Sequence, residues 1–158
     1  TLQGNIWYHL GLAHYLKGDM ENALKAFSNR TVLGRYDDNI VSGGHWLYMI
    51  LRRMDRLDDA NAAIAKVHPD MDIIENGSYY KMCLFYKGLL SEAELQPKEI
   101  GTPSDDVLAY GLGNYYLYHH QDTVKAKPYY ERLMKDGNKN SFAYIAGEAD
   151  WERVFGEE

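Results

Sequence analysis

WYHLGLAHYLKGDMENALKAF, from Trp7 to Phe27, is the stretch that decides the fold. Trp7, Leu10 and Gly11 recur at the spacing of one helix face, and Gly18-Asp19 then breaks the run. A second helical run starts at Met20 and carries Ala23, Ala26 and Phe27. Two helices joined by so short a turn must lie antiparallel. Small residues at Gly11 and Ala23 let their axes approach, and Trp7 and Phe27 fill the seams on either side.

Outward from this hairpin the pattern repeats. Ala23, Ala60, Ala93 and Ala126 are spaced by 37, 33 and 33 residues. Five positions before each lie Gly18, Asp55, Gly88 and Gln121, all in turn-like contexts. Thirteen before lie Leu10, Leu47, Tyr80 and Gly113, and four after lie Phe27, Ile64, Pro97 and Tyr130. A period of about 34 residues with such anchors marks stacked helix–turn–helix units. The units span roughly 4–36, 41–70, 74–100 and 104–137, with a capping helix over 141–155, in a single domain over 1–158. The expected fold is all-α, an α-α superhelix of about four hairpins closed by the capping helix, or roughly nine helices and no sheet.

Individual residues refine this. Close helix contacts are expected at Gly11 with Ala23 and at Gly113 with Ala126, whereas Tyr48 stands where the second unit needs its small residue. The third unit's second helix starts at Ser91 and should end within about two turns, because Pro97 removes a donor and clashes with the preceding turn. Thr102-Pro103 or Ser104 starts the next helix, with Asp105 and Asp106 in its first turn. Pro128 falls early in the helix after it or kinks it. Ser141 caps the last helix, whose inner stripe is read as Ile145, Trp151 and Phe155. The irregular segment from Asn29 to Ser42, with Gly34, Asp37 and Asp38, accounts for the longer first spacing.

Composition narrows the function. A formal charge of −6 with scattered basic residues argues against nucleic acid, and the densest cluster, Arg52, Arg53 and Arg56, reads as a solvated helix face. The single cysteine, Cys83, excludes an intrachain disulfide and a thiolate metal site, and its apolar neighbours imply a buried thiol. The longest apolar runs, such as Leu47 to Leu51, fall far short of the ~20 residues of a membrane span, so no direct membrane insertion is expected. No leader precedes Thr1, and the chain reads as a mature form or a piece of a longer protein.

Trp7, Leu10, Gly11, Gly18, Ala23 and Phe27 together resemble the tetratricopeptide repeat family, with His14 where that family usually has Tyr. A narrower likeness covers most of the chain from Gly44 onward. His45-Trp46-Leu47-Tyr48, Tyr86-Lys87-Gly88 and Tyr110-Gly111-Leu112-Gly113-Asn114-Tyr115-Tyr116 are similar to bacterial tetratricopeptide lipoproteins and envelope-associated repeat proteins, including the NlpI type. The resemblance implies an adaptor that binds proteins and often dimerises. It leaves the compartment open: cytoplasmic or, with a signal peptide on the parent, periplasmic or envelope-associated.

Sequence motifs supply no chemistry. Gly111-Leu112-Gly113 lies inside a helical pattern rather than in a phosphate loop. His9 and His14 are five apart and do not share the face of an i, i+4 metal pair, while His119 and His120 are adjacent and diverge. Asp37-Asp38, Asp58-Asp59 and Asp105-Asp106 sit at turns and helix starts, where capping explains them. The chain is therefore read as non-enzymatic, with no cofactor and no metal. The family's groove pattern implies a concave lining of Tyr8, Leu12 and Tyr15, then His45, Met49, Arg52 and Arg53, then Met82, Phe85 and Tyr86, then Tyr115, Tyr118 and His119. Tyr and Arg dominate binding hot spots, so this lining is expected to take a protein or peptide partner. One of Arg52 and Arg53 is expected to face Tyr15, Tyr86 and Tyr118, because consecutive helix residues diverge by about 100°. The alternative is an oligomerisation module that buries the aromatic face in a homodimer.

Overall fold

The computed structural model describes residues 2–33 and 36–156, the side chains of 31–33 excepted. Regular structure among these residues is helical throughout, without a strand. The α-helices are α1 (Leu2–Leu16), α2 (Met20–Leu33), α3 (Asp37–Arg53), α4 (Leu57–Ala63), α5 (Gly77–Tyr86), α6 (Pro103–Asn114), α7 (Thr123–Asp136) and α8 (Phe142–Val154). A 3₁₀ turn spans Glu92–Leu95 and a π turn spans Tyr115–His119. One of the nine expected helices, the second of the third unit, is this 3₁₀ turn. Ser91 does begin it: its backbone N–H and hydroxyl each donate to the Glu94 carboxylate at 2.7 Å. Pro97 then prevents any continuation. Gly34 of the irregular first loop lies outside the described residues.

The internal repeat is visible in the backbone. Gly18, Asp55, Gly88 and Gln121 all take positive φ, at 75°, 58°, 72° and 54°. Each ends the first helix of its unit. The next residue then reaches back to a carbonyl five positions earlier: Asp19 to His14, Arg56 to Leu51 and Leu89 to Leu84, each at 2.9 Å. This left-handed cap satisfies carbonyls that a helix end would otherwise strand. In the fourth unit Asp122 reaches one residue further, to Tyr116. The π turn absorbs that extra residue, and it explains why Gly113 precedes its alanine by one position more than Gly11 does.

Only two of the four caps are glycine. For Gln121 the left-handed conformation costs on the order of 1 kcal/mol, and the side chain is exposed. Gln121→Gly is expected to raise stability by about 0.5–1 kcal/mol in a denaturant titration, and Asp55→Gly by less, since Asp visits this region more readily. Equal or lower stability for Gln121→Gly would show that the cap carries no strain.

The small residues do let helices approach, but onto the large anchors rather than onto the alanines. A side chain at Gly11 would meet the Phe27 ring at 2.6 Å, and one at Gly113 the Tyr130 ring at 2.9 Å. In the second unit the same service comes from Gly44, one turn before Tyr48, where an added side chain would meet Ile64 at 3.3 Å. The expectation that Tyr48 forfeits the small position is thereby corrected.

Helix starts follow the sequence closely. The Thr102 hydroxyl accepts from Asp105 N–H at 3.2 Å with Pro103 at the first position, and Ser141 accepts from Tyr144 N–H at 3.0 Å. Pro128 lies inside α7. The inner face of α8 differs from the reading above. Ala143, Tyr144, Ala146, Gly147 and Asp150 are buried with Phe155, whereas Ile145 and Trp151 are half-buried. Gly147 takes the Leu133 side chain at this seam, which moves the inner stripe onto the small residues.

Packing groups the chain into two compact units, Thr1–Leu95 and Gln96–Glu158. In the first, α3 is the centre: it is buried from Val41 through Leu51 and packs on α2, α4 and α5. In the second, α6 is buried from Asp105 through Asn114 and packs on α7 and α8. A helix enclosed on several sides is expected to be apolar or hydrogen-bonded nearly all round, and on α3 the buried Nε2 of His45 is left without a hydrogen-bond partner.

Candidate functional site

In the first unit the aromatic residues converge where α1, α3 and α5 meet. Trp46 on α3, 1% exposed, donates its indole N–H to the Tyr8 hydroxyl of α1 at 3.1 Å. That hydroxyl lies 3.4 Å from the Tyr79 hydroxyl of α5. Tyr15 meets the Trp46 ring edge-on at 5.1 Å, and Phe27 stacks on it at 6.3 Å. Further along, Tyr86 stacks on Tyr48 at 4.1 Å and on His45 at 5.8 Å. Burial raises the phenols of Tyr8 and Tyr79, so both stay neutral donors and acceptors at neutral pH.

This convergence revises the proposed groove lining. Leu12, Tyr15, His45, Met49 and Met82 are each at most 2% exposed, so they form core rather than an open face. The reason is that the first helices of successive units close onto one another through their own tyrosines. Tyr8, Arg52, Arg53, Phe85 and Tyr86 are half-buried and remain reachable from solvent. Arg53 is the arginine that meets Tyr15, its guanidinium 5.0 Å from the ring centre. Such contacts contribute about 0.5–1 kcal/mol at partly exposed sites.

Arg30 escaped the sequence reading. It is 8% exposed, lies 4.8 Å over the Tyr8 ring, and donates to the Asn39 carbonyl, Asn39 Oδ1 and Ser42 Oγ at 3.0–3.2 Å. Burial lowers its pKa. Only a turn-to-turn match between α2 and the start of α3 brings these groups together, and no short motif announces it.

In the second unit Tyr115 and His119 are half-buried in the π turn, with their rings 5.2 Å apart. Tyr118 is turned to a different task. Its hydroxyl donates to Asp150 Oδ1 at 2.9 Å, beside Tyr110 and Tyr130, which donate to Oδ2 at 2.9 and 3.3 Å. Arg153 Nη1 adds a bond to Oδ1 at 2.6 Å. The carboxylate is a hub that ties α6, the π turn and α7 to α8.

The paired acids at helix starts do more than cap. Asp38 accepts backbone N–H groups from Ile74, Glu75 and Asn76 at 2.7–3.0 Å, and Asp37 accepts from Asp72 at 2.8 Å. Burial pushes the Asp38 carboxyl up, but these donors outweigh it and hold it below its ordinary value. Asp106 plays the same part in the second unit, accepting Asn138 N–H at 3.1 Å and the Ser141 hydroxyl at 2.5 Å. Here burial prevails and raises its pKa. Asp105 pairs with Arg132 and accepts Gly101 N–H at 3.0 Å. In both units the first turn of the central helix therefore fixes the loop that leads into a later helix.

Cys83 is fully buried, and burial raises its thiol, so it is a poor nucleophile. Among the described residues no group of three or more His, Cys, Asp or Glu is placed to hold a metal ion, and no helix is long and apolar enough to cross a membrane. An open apolar stripe runs along α1: Leu2, Ile6 and Leu10 are 79%, 57% and 41% exposed and lie one turn apart. Trp7, read above as filling a seam of the first hairpin, is half-buried. No family model, curated protein or solved structure matches the chain.

Proposed function

We propose that the chain is a non-enzymatic protein-interaction scaffold built from tetratricopeptide-like hairpins. The observation that carries this reading is the α1 stripe of Leu2, Ile6 and Leu10, open to solvent on a helix that buries Gly11, Leu12 and Tyr15. Contiguous apolar surface of this kind marks a place where another protein is covered. The half-buried rim of Tyr8, Arg52, Arg53, Phe85 and Tyr86 offers a second contact with the residue types that dominate interface energetics. Asp38, Asp106 and Asp150 each hold several donors and the Cys83 thiol is buried, so these four are engaged in the fold. The partner segment suited to the rim is acidic, flanked by apolar residues.

A homodimer is the second reading, and the repeat itself favours it. Shifted by the 37-residue spacing, Leu10 corresponds to Leu47, which is 6% exposed on α3. What is covered in the second hairpin is open in the first. Sedimentation over a concentration range separates the readings: a dimer that Ile6→Glu with Leu10→Glu dissociates supports the homodimer. For the scaffold, Arg52→Ala with Arg53→Ala is expected to weaken capture of an acidic–apolar peptide at least tenfold, about 1.4 kcal/mol, with a small change in Tm. Unaltered capture by both double variants would remove the scaffold reading.

A further inference from the structure

His45 stands at the middle of the α3–α5 seam, 1% exposed. Its Nδ1 lies 3.3 Å from the Tyr86 hydroxyl, and its buried Nε2 has no hydrogen-bond partner. Its ring is stacked on Tyr86, tilted against Tyr79 at 5.1 Å and edge-on to Trp46 at 5.5 Å. A neutral imidazole tolerates this, because one ring nitrogen bonds to Tyr86 and the other forgoes a single bond. An imidazolium does not, because it carries two donors and a charge, and Nε2–H would find only ring carbon.

The surroundings offer no compensation. From α5 the facing titratable groups are Tyr79 and Tyr86, with the neutral Cys83 thiol bonded to the Val41 carbonyl at 3.5 Å. From α1 comes Tyr8, reached through Trp46, and from α2 the cation Arg30 over the Tyr8 ring. α4 packs with Ala60 buried, and its Asp58 and Asp59 are exposed, the latter paired with Arg56. No carboxylate among the described residues bonds to the ring.

We infer that His45 is an acid-sensitive catch: a proton on its ring and a closed α3–α5 seam exclude each other, so the first unit opens at α5 as the pH falls. Burial lowers the folded-state pKa from 6.5 to about 3. The opened state therefore binds the extra proton first. Stability is lost as pH falls below about 6.5, and the loss is complete near the folded value. Asp38 also ties the loop ahead of α5, but its carboxyl is held below its ordinary value of 3.8, so its contribution starts to be lost only below the range from pH 7 to 4.5.

Hydrogen exchange on the full chain from pH 7 to 4.5, corrected for intrinsic exchange rates, reads the catch directly. Over Gly77–Tyr86 the opening equilibrium is expected to rise close to tenfold per pH unit below about 6.5. His45→Phe, which cannot take the proton, should remove that slope. An equally steep slope in His45→Phe would overturn the inference. Should the variant not fold, NMR titration of the wild-type imidazole decides. A ring that stays neutral while the seam is closed supports the catch, and one that titrates near 6.5 with the Tyr86 contact intact overturns it.

Discussion

Asp150→Ala is expected to destabilise the second unit by about 3–5 kcal/mol. The carboxylate is 1% exposed and receives hydroxyls from Tyr110, Tyr118 and Tyr130 together with Arg153. Tyr110 and Tyr130 are themselves at most 1% exposed, so bulk solvent does not reach the stranded hydroxyls. Each stranded hydroxyl costs about 1–3 kcal/mol, and the cavity left by the carboxylate adds to that. Asp150→Asn keeps one acceptor oxygen and should lose roughly half as much. Urea unfolding followed through Trp151, one residue away, measures both. A loss below about 1 kcal/mol for Asp150→Ala would mean that the hydroxyls find other partners.

Trp46→Ala should cost the first unit a similar amount, about 3–5 kcal/mol, through packing rather than polarity. The indole is 1% exposed and contacts Tyr15 from α1, Phe27 from α2, Tyr79 from α5 and neighbouring His45. Its removal leaves a cavity where three helices meet α3, and it takes away a donor to Tyr8. Trp46→Phe retains most of the ring and loses the N–H, so about 1–2 kcal/mol is expected. Denaturant titrations of the two variants separate the terms. If Trp46→Phe proves as damaging as Trp46→Ala, the hydrogen bond to Tyr8 rather than the ring's volume governs the site.

How much could be read in advance differs from feature to feature. The turns at Gly18, Asp55, Gly88 and Gln121 were legible from spacing alone, and all four carry the same left-handed cap. Thr102 and Ser141 were legible as helix starts, because a cap is a local bargain between a hydroxyl and an N–H three residues on. The open groove was not. Its expected lining assumed that residues pointing away from the hairpin partner stay in solvent. Whether they do depends on how closely α1, α3 and α5 approach, and Tyr8 and Tyr79 close that distance.

Periodicity and caps are properties of a few neighbouring residues, so the amino-acid sequence by itself determined the helical class, the four-fold recurrence of the turn and the starts of α6 and α8. Partners distant in the chain were settled only in three dimensions: Arg30 over Tyr8, Asp38 on the loop at 74–76, and His45 enclosed by Tyr79 and Tyr86. An acid at a helix start looks alike in sequence whether it caps its own helix or holds a loop some 35 residues away. The difference lies in which backbone donors the fold brings within 3 Å, and that distance is set by the packing of whole helices.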